Sequence, residues 1–184
     1  MPTQLLTNIL DHNRQFVDHR DYVPFLTDPF PDKKLVVVTC MDTRLTELLP
    51  RAMGLKNGDA KIIKNAGAIV SHPFGSVMRS ILVAVYQLGA QEVAVVGHHG
   101  CGMTGLHCET VLNKARDRGV SLELLDVLRR SGIDLDGWLR GFERVEDGVL
   151  KSAAIIREHP LMPKDVIVHG LIISPETGKL DLLE

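Results

Sequence analysis

Two short segments of this chain concentrate side chains able to bind a metal or move a proton: Thr39-Cys40-Met41-Asp42-Thr43-Arg44 and Gly97-His98-His99-Gly100-Cys101-Gly102. Thiolate and imidazole are the ligands zinc favours, and three protein ligands leave a fourth position open for chemistry. His98-x-x-Cys101 has the spacing of a turn that folds both donors onto one ion, and Gly97, Gly100 and Gly102 permit the tight backbone such a turn needs. Each half has a plainer reading. A cysteine behind a Val-rich strand is ordinarily a small core residue, and one His-x-x-Cys is a weak metal signal. Their placement behind two separate candidate strands points instead to a shared site at Cys40, His98 and Cys101. His99 competes with His98, and the spacing favours His98. Cys108, seven residues past Cys101, is either a fourth ligand or a buried free thiol, and the second is preferred. Asp42 and Arg44 read either as a surface ion pair, worth under about 1 kcal/mol, or as a gate. In the gate, Arg44 grips the carboxylate bidentately and keeps it off the metal's open position.

The elements that must position these residues follow from apolar patterning. Leu6, Ile9, Leu10, Phe16 and Val17 mark an amphipathic helix in an N-terminal arm, 1–32, closed by the breakers Asp28, Pro29, Pro31 and Asp32. Apolar runs at 35–38, 61–63, 92–96 and 166–168 suit strands buried on both faces, and 180–183 suits an edge strand after the turn Pro175-Glu176-Thr177-Gly178. Helical patterns cover 76–88, stopped by Gly89, and 105–118, 122–130 and 145–158. Strands alternating with helices predict an α/β fold: a mainly parallel sheet of about four strands with an antiparallel edge strand and helices on both faces. Ligands in such sheets bind beyond the carboxyl ends of the strands. Both reactive segments follow candidate strands directly.

The 184 residues suit a single domain, 1–184. Formal net charge is −2, from 21 basic and 23 acidic side chains, so no basic excess points to nucleic acid or an anionic membrane surface. The longest apolar run, 81–86, is six residues, against roughly 18 for a membrane span. No basic segment followed by an apolar stretch opens the chain, and three cysteines do not make a disulfide framework. A cytoplasmic location is the expectation.

Beyond these derivations, the sequence resembles the β-class carbonic anhydrases. The resemblance rests on Cys40-x-Asp42-x-Arg44, Asn65-Ala66-Gly67 and Gly97-His98-x-x-Cys101-Gly102, and extends to His169-Gly170 and Thr177-Gly178-Lys179-Leu180. It runs from about Leu35 to the end. It implies Zn²⁺ held by Cys40, His98 and Cys101, Asp42 and Arg44 as the gating dyad, with Asp42 an occasional fourth ligand, and a pocket that includes Asn65, Ala66, Gly67 and Gly102. It further implies reversible hydration of carbon dioxide to bicarbonate by a zinc-bound hydroxide, in a homodimer or dimer-based oligomer whose active sites lie near the interface. The arm 1–32 would pack on the partner. Longer plant-like members carry a glutamine and a tyrosine where this chain has Phe30-Pro31-Asp32 and Ile81-Leu82-Val83, and arginine-asparagine is common where it has Lys64-Asn65.

Two other functions remain open on these residues: hydrolysis of carbonyl sulfide or carbon disulfide at the same zinc site, and a non-catalytic zinc-binding regulatory role with the site closed by Asp42. A nucleotide-binding reading of Gly97-x-x-Gly100 lacks the G-x-G-x-x-G pattern. His72, His99 and His107 are candidate proton shuttles. His169 reads as a satisfied core or interface histidine, and Ile69 and Phe74 as an apolar entry or as ordinary core.

Overall fold

The structure, a computed structural model, describes residues 2–184. Its centre is a five-stranded sheet built from β1 (Leu35–Cys40), β2 (Ala60–Asn65), β3 (Glu92–His98), β4 (Ile167–Ile173) and β5 (Leu180–Leu182), in the order β2-β1-β3-β4-β5. Four strands are parallel, and β5 pairs antiparallel with β4. The α/β sheet expected from the sequence is therefore the one observed. Strands β1 and β3 form its centre and are buried almost throughout, as their continuous Val-rich runs require.

The helices are α1 (Gln4–Asp18), α2 (Leu45–Ala52), α3 (Ser76–Leu88), α4 (Cys108–Asp117), α5 (Leu122–Arg130), α6 (Leu135–Leu139) and α7 (Val145–Arg157). One face of the sheet presents Val36, Val38, Val93, Val95 and Ile172 to Met78 and Ile81 of α3 and to Val149, Ala153 and Ile156 of α7. The other presents Val37, Ala94, Val96 and Ile173 to Leu45 and Leu49 of α2. Alternate strand residues thus feed two cores. A third cluster, Cys108, Leu112, Leu125 and Leu135, ties α4, α5 and α6 together beside the sheet.

Several boundaries differ from the expectation. Strand β1 runs on through Thr39 and Cys40, and β3 through Gly97 and His98, because ladder hydrogen bonds continue where the Val runs stop. Helix α2 carries Pro50, whose missing amide hides the helix from a pattern reading. The helix expected from residue 105 begins at Cys108, since residues 101–107 form turns that return toward Phe142.

The order β2-β1-β3 has a consequence for function. The chain leaves β1 toward β2 on one side and places β3 on the other, so the connections diverge between the carboxyl ends of β1 and β3. That crevice is where doubly wound sheets bind ligands. Cys40 ends β1 and His98 ends β3.

Gly97 faces α7: a Cβ there would lie 2.6 Å from Val149 Cγ2 and 2.8 Å from Val145 Cγ2. Gly97→Ala is therefore expected to force α7 away from the sheet and destabilise the fold by about 1–3 kcal/mol. Urea denaturation checks this, and an unchanged midpoint would contradict the packing described.

Candidate metal centre

Cys40 Sγ, His98 Nε2 and Cys101 Sγ converge so that the three ligand atoms lie within 4.8 Å of one another, and all three residues are buried. The two sulfurs are 3.9 Å apart. Parallel pairing brings Thr39 level with Val96, so Cys40 at the end of β1 and His98 at the end of β3 lie within one residue of the same height. The turn after β3 then folds Cys101 back over them. Gly100 makes that turn at φ +64°, a conformation side-chain-bearing residues avoid. Of the three glycines expected to shape this turn, Gly100 alone does so by positive φ. Gly97 instead admits α7, and Gly102 has open space around its α-carbon.

The donors are prepared for a cation. His98 Nδ1 lies 2.9 Å from the carbonyl of His99, which can only accept, so the ring proton sits on Nδ1. Nε2 then presents its lone pair, buried and without a hydrogen-bond partner. A buried unpaired ring nitrogen facing two thiols is costly unless something electropositive satisfies it. The Cys40 thiol is held well below its ordinary range by a hydrogen bond from the Cys101 thiol, aided by the Gly67 amide 3.4 Å from its sulfur. The Cys101 thiol is pushed up by the same bond, from the donor side, and by burial. The 3.9 Å sulfur–sulfur contact thus favours ionisation of one thiol of the pair. Soft thiolate, imidazole and a second sulfur make a set suited to Zn²⁺.

Asp42 and Arg44 stand at the rim. Asp42 Oδ1 accepts from Arg44 Nε at 3.0 Å and Oδ2 from Arg44 Nη2 at 2.8 Å, a two-point grip. That grip holds the Asp42 carboxyl well below the usual carboxylate range. Asp42 Oδ1 also accepts from the Arg44 amide at 2.9 Å, so the carboxylate caps its turn as well as pairing with the guanidinium. Its Oδ2 is 3.7 Å from His98 Nε2, beside the ligand group. Arg44 Nη2 further donates to the Gly100 carbonyl at 3.3 Å, joining the rim to the metal turn.

The cleft over these groups has a volume of about 520 Å³ and is lined by Ala66, Gly67 and Gly102 together with Met41, Thr43 and Met103, the last of which no sequence motif singled out. Met103 follows the metal turn by two residues and could have been found from that spacing. Asn65 lies behind the cleft. Its Nδ2 donates to the Ile69 carbonyl at 2.7 Å, and it lines a neighbouring cavity of about 620 Å³ with Ile69. Phe74 lines a separate groove on α3 beside the buried His159. His72, His99 and His107 are exposed, and none of them lines the cleft. His169 is half-buried and paired with Glu92 at 2.9 Å. Cys108 is buried in the α4–α6 cluster, outside the convergent ligand group, as the preferred reading of it requires.

Comparison with known proteins is consistent with this geometry. The family profile described as "Carbonic anhydrase" matches residues 35–180. The chain is 64% identical, over 97% of its own length and 90% of the relative's, to the Bacillus subtilis protein named "Putative carbonic anhydrase YvdA". It is 33% identical to a carbon disulfide hydrolase of Saccharolobus solfataricus, over 81% of this chain and 76% of that one. Among solved structures, β-carbonic anhydrase isoform I of Trichomonas vaginalis superposes with a TM-score of 0.88 at 34% identity, covering 99% of this chain and 98% of that one.

Because the contact between the sulfurs favours ionisation of one thiol, zinc uptake at neutral pH is expected to release about one proton per site. Calorimetry in two buffers of different protonation enthalpy counts it; release of two would show both thiols protonated beforehand.

Proposed function

Starting from the fact that the chain belongs to the β-class carbonic anhydrase family, we propose that it catalyses zinc-dependent, reversible hydration of carbon dioxide to bicarbonate, as a carbonate dehydratase. The observation that carries this reading is the buried, unpartnered His98 Nε2 facing the Cys40 and Cys101 sulfurs at the crevice between β1 and β3. When bound by these residues, zinc supplies a Lewis acid that lowers the pKa of a water ligand and so provides a nucleophile near neutral pH.

The chain's own residues do the rest. Asp42, kept ionised by Arg44, accepts a hydrogen bond from the nucleophile and turns its lone pair toward the substrate. Arg44 keeps that carboxylate off the metal while the site works. Ala66, Gly67 and Met103 wall the cleft with small or apolar groups, suited to an uncharged linear substrate that brings no charge of its own. The near-zero net charge fits the same substrate, which needs no electrostatic steering.

Hydrolysis of carbon disulfide or carbonyl sulfide is the second reading. It is favoured by relatives named carbon disulfide hydrolase and by the same demand for a metal-activated nucleophile. A site permanently closed by Asp42, serving a regulatory zinc, is the third.

We further propose a cytoplasmic homodimer or dimer-based oligomer. Helix α1 buries no residue, and it exposes Leu6, Ile9, Leu10 and Val17. Such a surface suits the arm 1–32 packing on a second copy.

Stopped-flow carbon dioxide hydration, with zinc measured in the same sample, tests the activity; sulfide release from carbon disulfide tests the alternative. Zinc-replete protein inactive on both substrates would leave the regulatory role. Asp42→Asn is expected to cut hydration by about 10- to 100-fold at unchanged zinc content, whereas a carboxylate that only caps its turn predicts unchanged turnover. Hydration should rise from about pH 6.5 to about 9 as the water ligand ionises. Asp42, already ionised across that window, does not itself titrate within it. A flat profile with zinc fully bound would contradict this mechanism. For assembly, Leu6→Asp with Ile9→Asp should shift the species seen by analytical ultracentrifugation from dimer to monomer.

A further inference from the structure

The sheet register places Cys40 and His98, but Cys101 lies beyond the end of β3, outside the ladder. Its turn is held instead by the connector between α6 and α7. The Phe142 amide donates to the Met103 carbonyl at 3.2 Å, and the Phe142 carbonyl accepts from the Gly105 amide at 2.8 Å. The Gly141 amide adds a bond to the Leu106 carbonyl at 2.9 Å. The turn itself closes on Cys101, whose carbonyl accepts from the Thr104 amide at 3.0 Å.

The Phe142 side chain reaches what supports the other sulfur. Its ring is seated between two glycines. A Cβ at Gly148 of α7 would overlap Phe142 Cδ1, and a Cβ at Gly67 would stand 3.1 Å from Phe142 Cε1 and 2.9 Å from Met103 Cγ. Phe142 also packs against the cores on both faces of the sheet, so it sits at the edge where they meet. Gly67 is the residue whose amide lies 3.4 Å from Cys40 Sγ. It and the next residue both have positive φ, +74° at Gly67 and +57° at Ala68. Ala68 carries a side chain in that conformation, and such backbone persists only where its surroundings impose it. The Phe142 ring and the Met103 side chain are the groups pressed on Gly67.

We propose that Phe142 is a positioning residue for the metal centre: its ring, wedged between Gly148 and Gly67, holds the Gly67 amide on Cys40 Sγ, while its backbone holds the turn that carries Cys101. One residue of the α6–α7 connector thus sets the spacing of the two sulfurs, although it donates no ligand. The inference rests on the metal centre proposed above, but not on the identity of the substrate.

The test titrates full-length apoprotein with cobalt(II) against a competing chelator and follows the thiolate-to-cobalt absorption band. Urea midpoints of the apoproteins are measured alongside. Phe142→Ala should weaken cobalt binding about ten-fold, the lower end of what losing a group behind a metal ligand costs, and shift the band. Phe142→Leu, which keeps apolar bulk, should fall between Phe142→Ala and wild type. Gly148→Ala suits a helix better than glycine and leaves Phe142 in the chain, yet its methyl group displaces the ring, so it should weaken cobalt binding too. In a Phe142→Ala background, Gly148→Ala should add no further loss. Leu125→Ala, in the α4–α6 cluster, lowers the urea midpoint away from the centre and should leave cobalt affinity and the band unchanged. Unchanged affinity in Phe142→Ala overturns the proposal. If that variant does not fold, unchanged affinity in both Phe142→Leu and Gly148→Ala overturns it. So does an equal loss in Leu125→Ala, which shows general destabilisation only, or losses from Phe142→Ala and Gly148→Ala that add. Failure of the wild-type chain to take up cobalt, or uptake that survives His98→Ala with Cys101→Ser, overturns the metal centre itself.

Discussion

The parallel pairing of β1 with β3 is the constraint on which the site depends. Cys40 and His98 lie 58 positions apart in the chain, and neither has a local reason to meet the other. The ladder that sets Val38 against Val95 and Thr39 against Val96 brings the two strand ends to within one residue of the same level. Burial of both faces holds that register: a one-residue slip would exchange the Val residues packed on α3 and α7 with those packed on α2. The hydrophobic core thereby sets a distance between two polar atoms that do not belong to it. Gly97 is part of the same arrangement, because the close approach of α7 that it allows packs the end of β3 from behind.

Charge management at the rim follows from what the core leaves exposed. The Cys40 thiol is lowered by its contact with Cys101, Asp42 is ionised through Arg44, and Arg44 is tied to the metal turn through Gly100. Each group is held in its state by a neighbour. The Asp42 carboxylate thus borders the ligand group, with Oδ2 3.7 Å from His98 Nε2.

The fold was largely legible because its signals are local. Val-rich runs marked β1 and β3, Gly89 marked the end of α3, and the alternation of strands and helices implied the parallel sheet. Helix α2 was not legible, since Pro50 interrupts its pattern while tertiary burial of Leu45 and Leu49 stabilises it. The role of Gly97 was misread for a related reason. A glycine beside a metal turn looks like part of the turn, and only the packed position of α7 shows the close approach it serves.

The sequence by itself determined the chemistry available: two thiols, an imidazole, and an Asp-x-Arg pair at the ends of strands, with residue types and spacings that favour zinc over other partners. Tertiary structure decided which atoms face one another. It turned Nε2 rather than Nδ1 of His98 toward the sulfurs, placed the Gly67 amide on Cys40, drew Asn65 behind the cleft and left Cys108 in a separate core. Ligand type is a property of single residues, whereas side-chain direction depends on the register and packing of strands that meet only when the sheet is complete.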